Sequence, residues 1–88
     1  MKISIKDALE KGVSAHRNGR LEEASYYYDE ILKSQPSHPD ANHNLGGIVA
    51  MFGDPARAIP YLKVAVEADP RQAQYWYSYI NTLIKAGE

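Results

Sequence analysis

The chain has 88 residues, 44% of them hydrophobic and 24% charged, a balance that belongs to one small folded domain rather than to a disordered segment. Ten Lys and Arg against eleven Asp and Glu leave a formal net charge of -1, without the basic excess that a nucleic-acid binder carries. Cysteine is absent, which excludes disulfides, thiolate metal sites and cysteine nucleophiles and accords with a cytoplasmic location. The start, 1–7, lacks the apolar centre of a secretory signal, and no apolar run approaches the ~18 residues of a membrane span. A domain this short buries only roughly 60–65% of its unfolded surface, which argues against a deep enzyme pocket.

Five helices are predicted in chain order. The first covers 6–18 and breaks at Gly19 and Arg20; the second covers 21–34 and is closed by Pro36. In the third, Asn42, Leu45, Gly46 and Val49 follow helical spacing, and Gly53 ends it because glycine takes the left-handed conformation at little cost. Asp54 and Pro55 start the fourth: the carboxylate accepts from free amides, and proline suits the first helical position. Ala58, Leu62, Ala65 and Val66 form its apolar stripe, and Asp69-Pro70 closes it. Pro60 lies inside and deletes one backbone hydrogen bond, so a bend or local loosening is expected within a single helix. The fifth is predicted over about 71–86.

The chain repeats itself. A shift of 34 residues places Gly12 on Gly46, Gly19 on Gly53, Gly53 on Gly87, Ala24 on Ala58, Tyr27 on Tyr61 and Pro36 on Pro70. Glycine and proline are the residues that punctuate a backbone, and they share one register. Two full units, 5–38 and 39–72, and a half unit, 73–88, make a single domain over 1–88. Each full unit is a helix hairpin.

These residues resemble the tetratricopeptide repeat, a 34-residue helix–turn–helix unit. Asn42, Leu45, Gly46, Val49, Ala58, Leu62 and Pro70 carry the pattern in the second unit. Ala8, Lys11, Gly12, Ala15, Ala24, Tyr28 and Pro36 carry it in the first, and Trp76, Tyr79, Ile80 and Leu83 in the third. Lys11 departs from the expected leucine, as suits an exposed terminal helix. Ile80 departs from the expected glycine and predicts wider spacing in the last unit. The resemblance implies an all-α, right-handed α-solenoid of five helices, about two and a half repeats. Gly12, Gly46, Ala24 and Ala58 allow close approach within a unit, and Tyr28 and Leu62 are expected to fill the space between units.

The resemblance also implies a non-catalytic protein–protein interaction scaffold, with no cofactor, whose first helices line a concave groove for a peptide or helix. Leu9, Val13, His16, His43, Asn44, Gly47, Met51, Tyr77 and Asn81 are the candidate peptide-binding residues. Lys6, Glu10, Arg17, Asp40, Ala50, Gln74, Ser78 and Ile84 share the same faces. One subclass of the family clamps a C-terminal carboxylate with Lys, Asn and Arg. The equivalent positions here are Leu9, Val13, Asn44, Gln74 and Ser78, and only Asn44 agrees, so too few cations are present to offset the desolvation of a carboxylate. Asn44, before Leu45 and Gly46, is similar to the asparagine ladder in the repeat region of O-linked N-acetylglucosamine transferases. There, amides bond a peptide backbone without reading its sequence. Glu10 and Ser78 do not continue that ladder, and a surface Asn is the plainer reading.

Other signals favour structure over chemistry. His38, Asp40 and His43 lie close in sequence, but His38 precedes Pro39 in the turn between units and stands five residues from His43, not the three or four that stack ligands on a helix face, and no fourth ligand is evident, which argues against a metal site; no nucleophile motif stands beside His16. Gly46-Gly47 lies in a helical pattern, with no preceding strand to make a phosphate loop. Gly46 is explained by packing; Gly47 is expected to admit a ligand backbone or the first helix. The runs Tyr26-Tyr27-Tyr28 and Tyr75-Trp76-Tyr77 lack interleaved basic residues and read as packing rather than base stacking. The last helix is apolar nearly all round, unlike a polar cap. Either the chain is the N-terminal part of a longer protein, which the break at Gly87 favours, or that face forms a homo-oligomer. The leading function is the interaction scaffold. The alternatives are a substrate-presenting repeat region of a glycosyltransferase and a self-assembly element, and neither a nucleic acid nor a membrane is an expected partner.

Overall fold

The computed structural model describes residues 3–87. It contains five helices: α1 (Ile5–Arg17), α2 (Leu21–Ser34), α3 (Pro39–Met51), α4 (Pro55–Ala68) and α5 (Ala73–Lys85). Each element starts or stops within two residues of its sequence expectation. α1 pairs with α2 and α3 with α4, α2 leans on α3 and α4 on α5, and α3 also meets α5. Hairpins therefore follow one another in chain order, in a body of 39 × 25 × 19 Å. The fold is an all-α helical-repeat solenoid.

The helix ends explain the period. Gly19, Gly53 and Gly87 have φ of 78°, 87° and 82°, the left-handed region that glycine enters without a Cβ penalty. After α1, the Arg20 amide donates to the Ala15 carbonyl at 2.8 Å and the Gly19 amide to the His16 carbonyl at 3.1 Å. This double bond pattern closes the last turn and reverses the chain. The same pair recurs at Asp54 and Gly53 on Val49 and Ala50. Asp54 then caps α4 by accepting from the Arg57 amide at 3.2 Å, and Ser4 caps α1 by accepting from the Asp7 amide at 3.0 Å. Pro60 stands inside α4 without dividing it.

The core is built from small residues that let helices close up. Ala8, Ala15, Ala24, Tyr28, Ile31, Ala41, Leu45 and Ile48 form one buried cluster through the first hairpin and α3. Ala65, Val66 and Tyr75 form a second one where α4 meets α5. A Cβ built on Gly12 would lie 2.7 Å from the Tyr28 ring, and one on Gly46 would lie 2.9 Å from Leu62 Cδ2. Tyr28 and Leu62 thus press against the glycine of their own unit, and Tyr28 also joins the buried cluster that takes in Ala41, Leu45 and Ile48 of the next unit. Nothing lies within 4 Å of a Cβ on Gly47, so the first helix makes no close approach there.

One polar group is buried for a reason the repeat supplies. Asn42 Nδ2 donates to the Pro36 carbonyl at 3.0 Å and to the His38 carbonyl at 2.9 Å. One repeat later, Trp76 Nε1 donates to the Pro70 carbonyl at 2.8 Å. Amide and indole have different bulk but offer an N–H at the same place, and each ties a first helix to the turn before it.

Candidate functional site

The first helices α1, α3 and α5 carry the candidate residues, and polar contacts join them across units. The hydroxyl of Tyr75 donates to Asp40 Oδ1, so α5 is tied to the first turn of α3. His43 Nε2 lies 2.9 Å from Ser78 Oγ, and its Nδ1 lies 3.2 Å from Asn44 Oδ1. The His43 ring also tilts over Tyr75, with centroids 4.7 Å apart and planes at 31°. The two side-chain hydrogen bonds between α3 and α5 join residues 35 apart, one more than the repeat.

Between α1 and α3 the surface opens into a cavity of about 220 Å³ lined by Val13, His16, Arg17, Tyr28 and Asn44. Tyr28, fully buried on α2, brings its hydroxyl to 3.5 Å from His16 Nδ1, the outer limit of a hydrogen bond. Burial pushes the Tyr28 phenol above its ordinary pKa; the Asn44 side chain beside it pulls the other way, and the Asp40 charge adds to the rise. Tyr75 is pushed up further, by burial first and then by its bond to Asp40 and the charges of Asp40 and Asp69. Both phenols are therefore neutral donors throughout the physiological range. An adjoining hollow of about 350 Å³ is lined by Leu9, Glu10, Val13, Ser14 and Arg17.

The sequence-predicted residues thus divide. Val13, His16 and Asn44 meet around one cavity, and Leu9 adjoins it through Val13. His43 is occupied in binding Asn44 and Ser78. Gly47, Met51, Tyr77 and Asn81 line neither hollow: Met51 and Tyr77 are exposed, and Gly47 and Asn81 are half-buried along α3 and α5. Size does not select the site, since a hollow of about 530 Å³ at the loop side is lined by Gly19, Arg20, Leu21, Glu22, Glu23 and Phe52. The convergence of side chains from α1, α2 and α3 does.

Sequence reasoning assigned Tyr28 to packing alone and did not anticipate the pairings of Asp40 with Tyr75 and His43 with Ser78. A usable signal was present: in a 34-residue repeat, polar residues separated by about one period on first helices become neighbours across the stack. His38, Asp40 and His43, close in sequence, have separate tasks. His38 Nδ1 accepts from the Ala41 amide at 3.1 Å as the cap of α3, Asp40 accepts from Tyr75, and His43 meets Ser78.

A family model described as Tetratricopeptide repeat matches residues 9–73 and again 51–88. The chain belongs to the tetratricopeptide repeat family. Repeats of this family generally mediate protein–protein interaction and typically serve as non-catalytic scaffolds, which suggests protein partners. No curated protein matches the chain. Among the described residues, no helix is long and apolar enough to cross a membrane.

Proposed function

We propose that this tetratricopeptide repeat chain binds an extended peptide segment along α1, α3 and α5, with the notch between α1 and α3 as its anchor point. The observation that carries the reading is the notch itself. Val13 supplies an apolar wall, while His16, Arg17 and Asn44 bring polar side chains from two helices to one cavity, with the buried Tyr28 of a third helix behind them. An extended peptide offers alternating side chains and unpaired backbone groups, and such a surface serves both. The Asn44 amide provides donor and acceptor to a backbone without selecting a side chain. Along α3 and α5, Gly47 leaves open space for a close backbone approach, and Met51, Tyr77 and Asn81 extend the contact line.

Peptides selected by display on the folded chain and measured by calorimetry test this. Asn44→Ala and Tyr77→Ala should each weaken a selected peptide by about tenfold, the range of a lost interface hydrogen bond or aromatic contact. Arg57→Ala, on the exposed side of α4, should leave binding unchanged. Equal affinity across all three variants would refute the groove assignment.

A further inference from the structure

The face of α5 opposite its buried side is an uninterrupted uncharged stripe. Ala73, Trp76, Tyr77, Ile80 and Ile84 recur at intervals of three or four and share one side of the helix. Tyr75 and Thr82, on the other side, are buried against the body of the protein. Exposure is 40% at Trp76, 72% at Tyr77, 51% at Ile80 and 68% at Ile84.

Repeat register says what this stripe is. Stepping back by 34 residues sets Trp76 on Asn42 and Ile80 on Gly46; a second step sets them on Ala8 and Gly12. All four of those equivalents are buried, within the hairpins that α2 completes on α1 and α4 on α3. Trp76 and Ile80 therefore mark the corresponding seat on α5, with no helix on it among the described residues, while Tyr77 and Ile84, which fall on the half-buried His43 and Ala50, border it. It is also altered. A single Cβ at Gly12 or Gly46 would already stand 2.7 or 2.9 Å from the large side chain of the seated helix. Ile80 fills that place with a whole side chain, so a helix that seats as α2 does on α1 collides with it.

We infer that the free face of α5 is the seat for a second copy of this chain, packed antiparallel about Ile80. A two-fold axis through Ile80 brings Trp76 of each copy against Ile84 of the other, since both lie four residues from the axis. The same patch then serves both sides, as a two-fold interface requires. Large side chains at the crossing suit the wider interaxial separations of about 9–10 Å. The stripe has no charge to bury, and a net charge of -1 per chain adds little repulsion. The exposed fractions leave on the order of 500 Å² per copy, or roughly 1,000 Å² per pair, with ring areas of the usual size. That lies at the lower end for a specific interface, where weak and reversible contacts fall, so a reversible dimer is expected.

Sedimentation velocity of the 88-residue chain over a wide concentration series tests this. The expected result is a reversible dimer that Ile80→Glu weakens at least about thirtyfold, because a carboxylate is trapped at the axis. Circular dichroism should show unchanged helicity, since Ile80 is half exposed. The chain has no cysteine, so Ile80→Cys gives a clean second reading: mild oxidation should link two copies. Lys63→Cys, exposed on α4, should not link. A monomer at every concentration, a dimer indifferent to Ile80→Glu, or equal cross-linking at both positions would overturn the inference. So would a monomeric chain that binds a peptide with the α4 sequence, which would show the seat taking a repeat helix instead.

Discussion

Adjacent glycines in α3 should respond to the same substitution with opposite sign. Gly47→Ala places a methyl group in open space, with nothing within 4 Å. It removes the entropic cost of a mid-helix glycine and should stabilise the chain by about 0.5–1 kcal/mol. Gly46→Ala gains the same helix propensity but puts its methyl 2.9 Å from Leu62 Cδ2, 3.0 Å from Leu62 Cγ and 3.1 Å from Tyr61 Cβ. Leu62 is 1% exposed and has little room to withdraw, so α3 and α4 must separate by a few tenths of an ångström. Overpacking of this kind costs about 1–3 kcal/mol, which exceeds the propensity gain and leaves a net loss of about 1 kcal/mol. The two variants should therefore differ by about 2 kcal/mol in urea unfolding, with no change in m. By the usual scaling, Tm should rise by roughly 3–6 °C for Gly47→Ala and fall by a similar amount for Gly46→Ala. If both variants shift in the same direction, close packing at Gly46 is not what distinguishes the pair.

Asn42→Ala strips two donors from the carbonyls of Pro36 and His38 in a buried turn, and should cost ~1–3 kcal/mol in urea unfolding. The far-UV spectrum should remain helical, because the loss falls on the junction between hairpins rather than on either helix. Stability should also decline at alkaline pH. The folded-state pKa of Tyr28 and of Tyr75 lies above the unfolded value near 10, so the folded chain holds protons that the unfolded chain releases. The contribution of these two phenols is constant below about pH 10 and falls as the pH rises beyond it, by less than ~1 kcal/mol per pH unit for each phenol after allowance for solvent screening. Tyr75→Phe should flatten that slope in a pH series of urea midpoints while leaving the Tyr28 part; an unchanged slope would remove Tyr75 from the account.

The helices and their order were legible in the sequence because their signals are local. A left-handed glycine after α1 and α3, and Asp54 with Pro55 before α4, act within a few residues of themselves. Their recurrence every 34 residues then implies stacking, since one hairpin cannot bury its own apolar face. Gly46 could be assigned to packing on the same grounds. Asn42 could not: in sequence it occupies the position of Trp76, and only the fold reveals that an amide and an indole deliver an N–H to equivalent proline carbonyls.

The candidate groove lies at the other extreme. Whether Val13, His16 and Asn44 share a cavity, whether Tyr28 forms part of it, and that His43 is spent on Ser78 all depend on how α1, α3 and α5 lie across one another. Those relations are set by the bulk of buried side chains between units, a sum over many contacts that no single residue announces. Helix boundaries and repeat length thus belong to the chain itself. The identity of the surface, its occupied and its open positions, comes from packing between elements a full period apart.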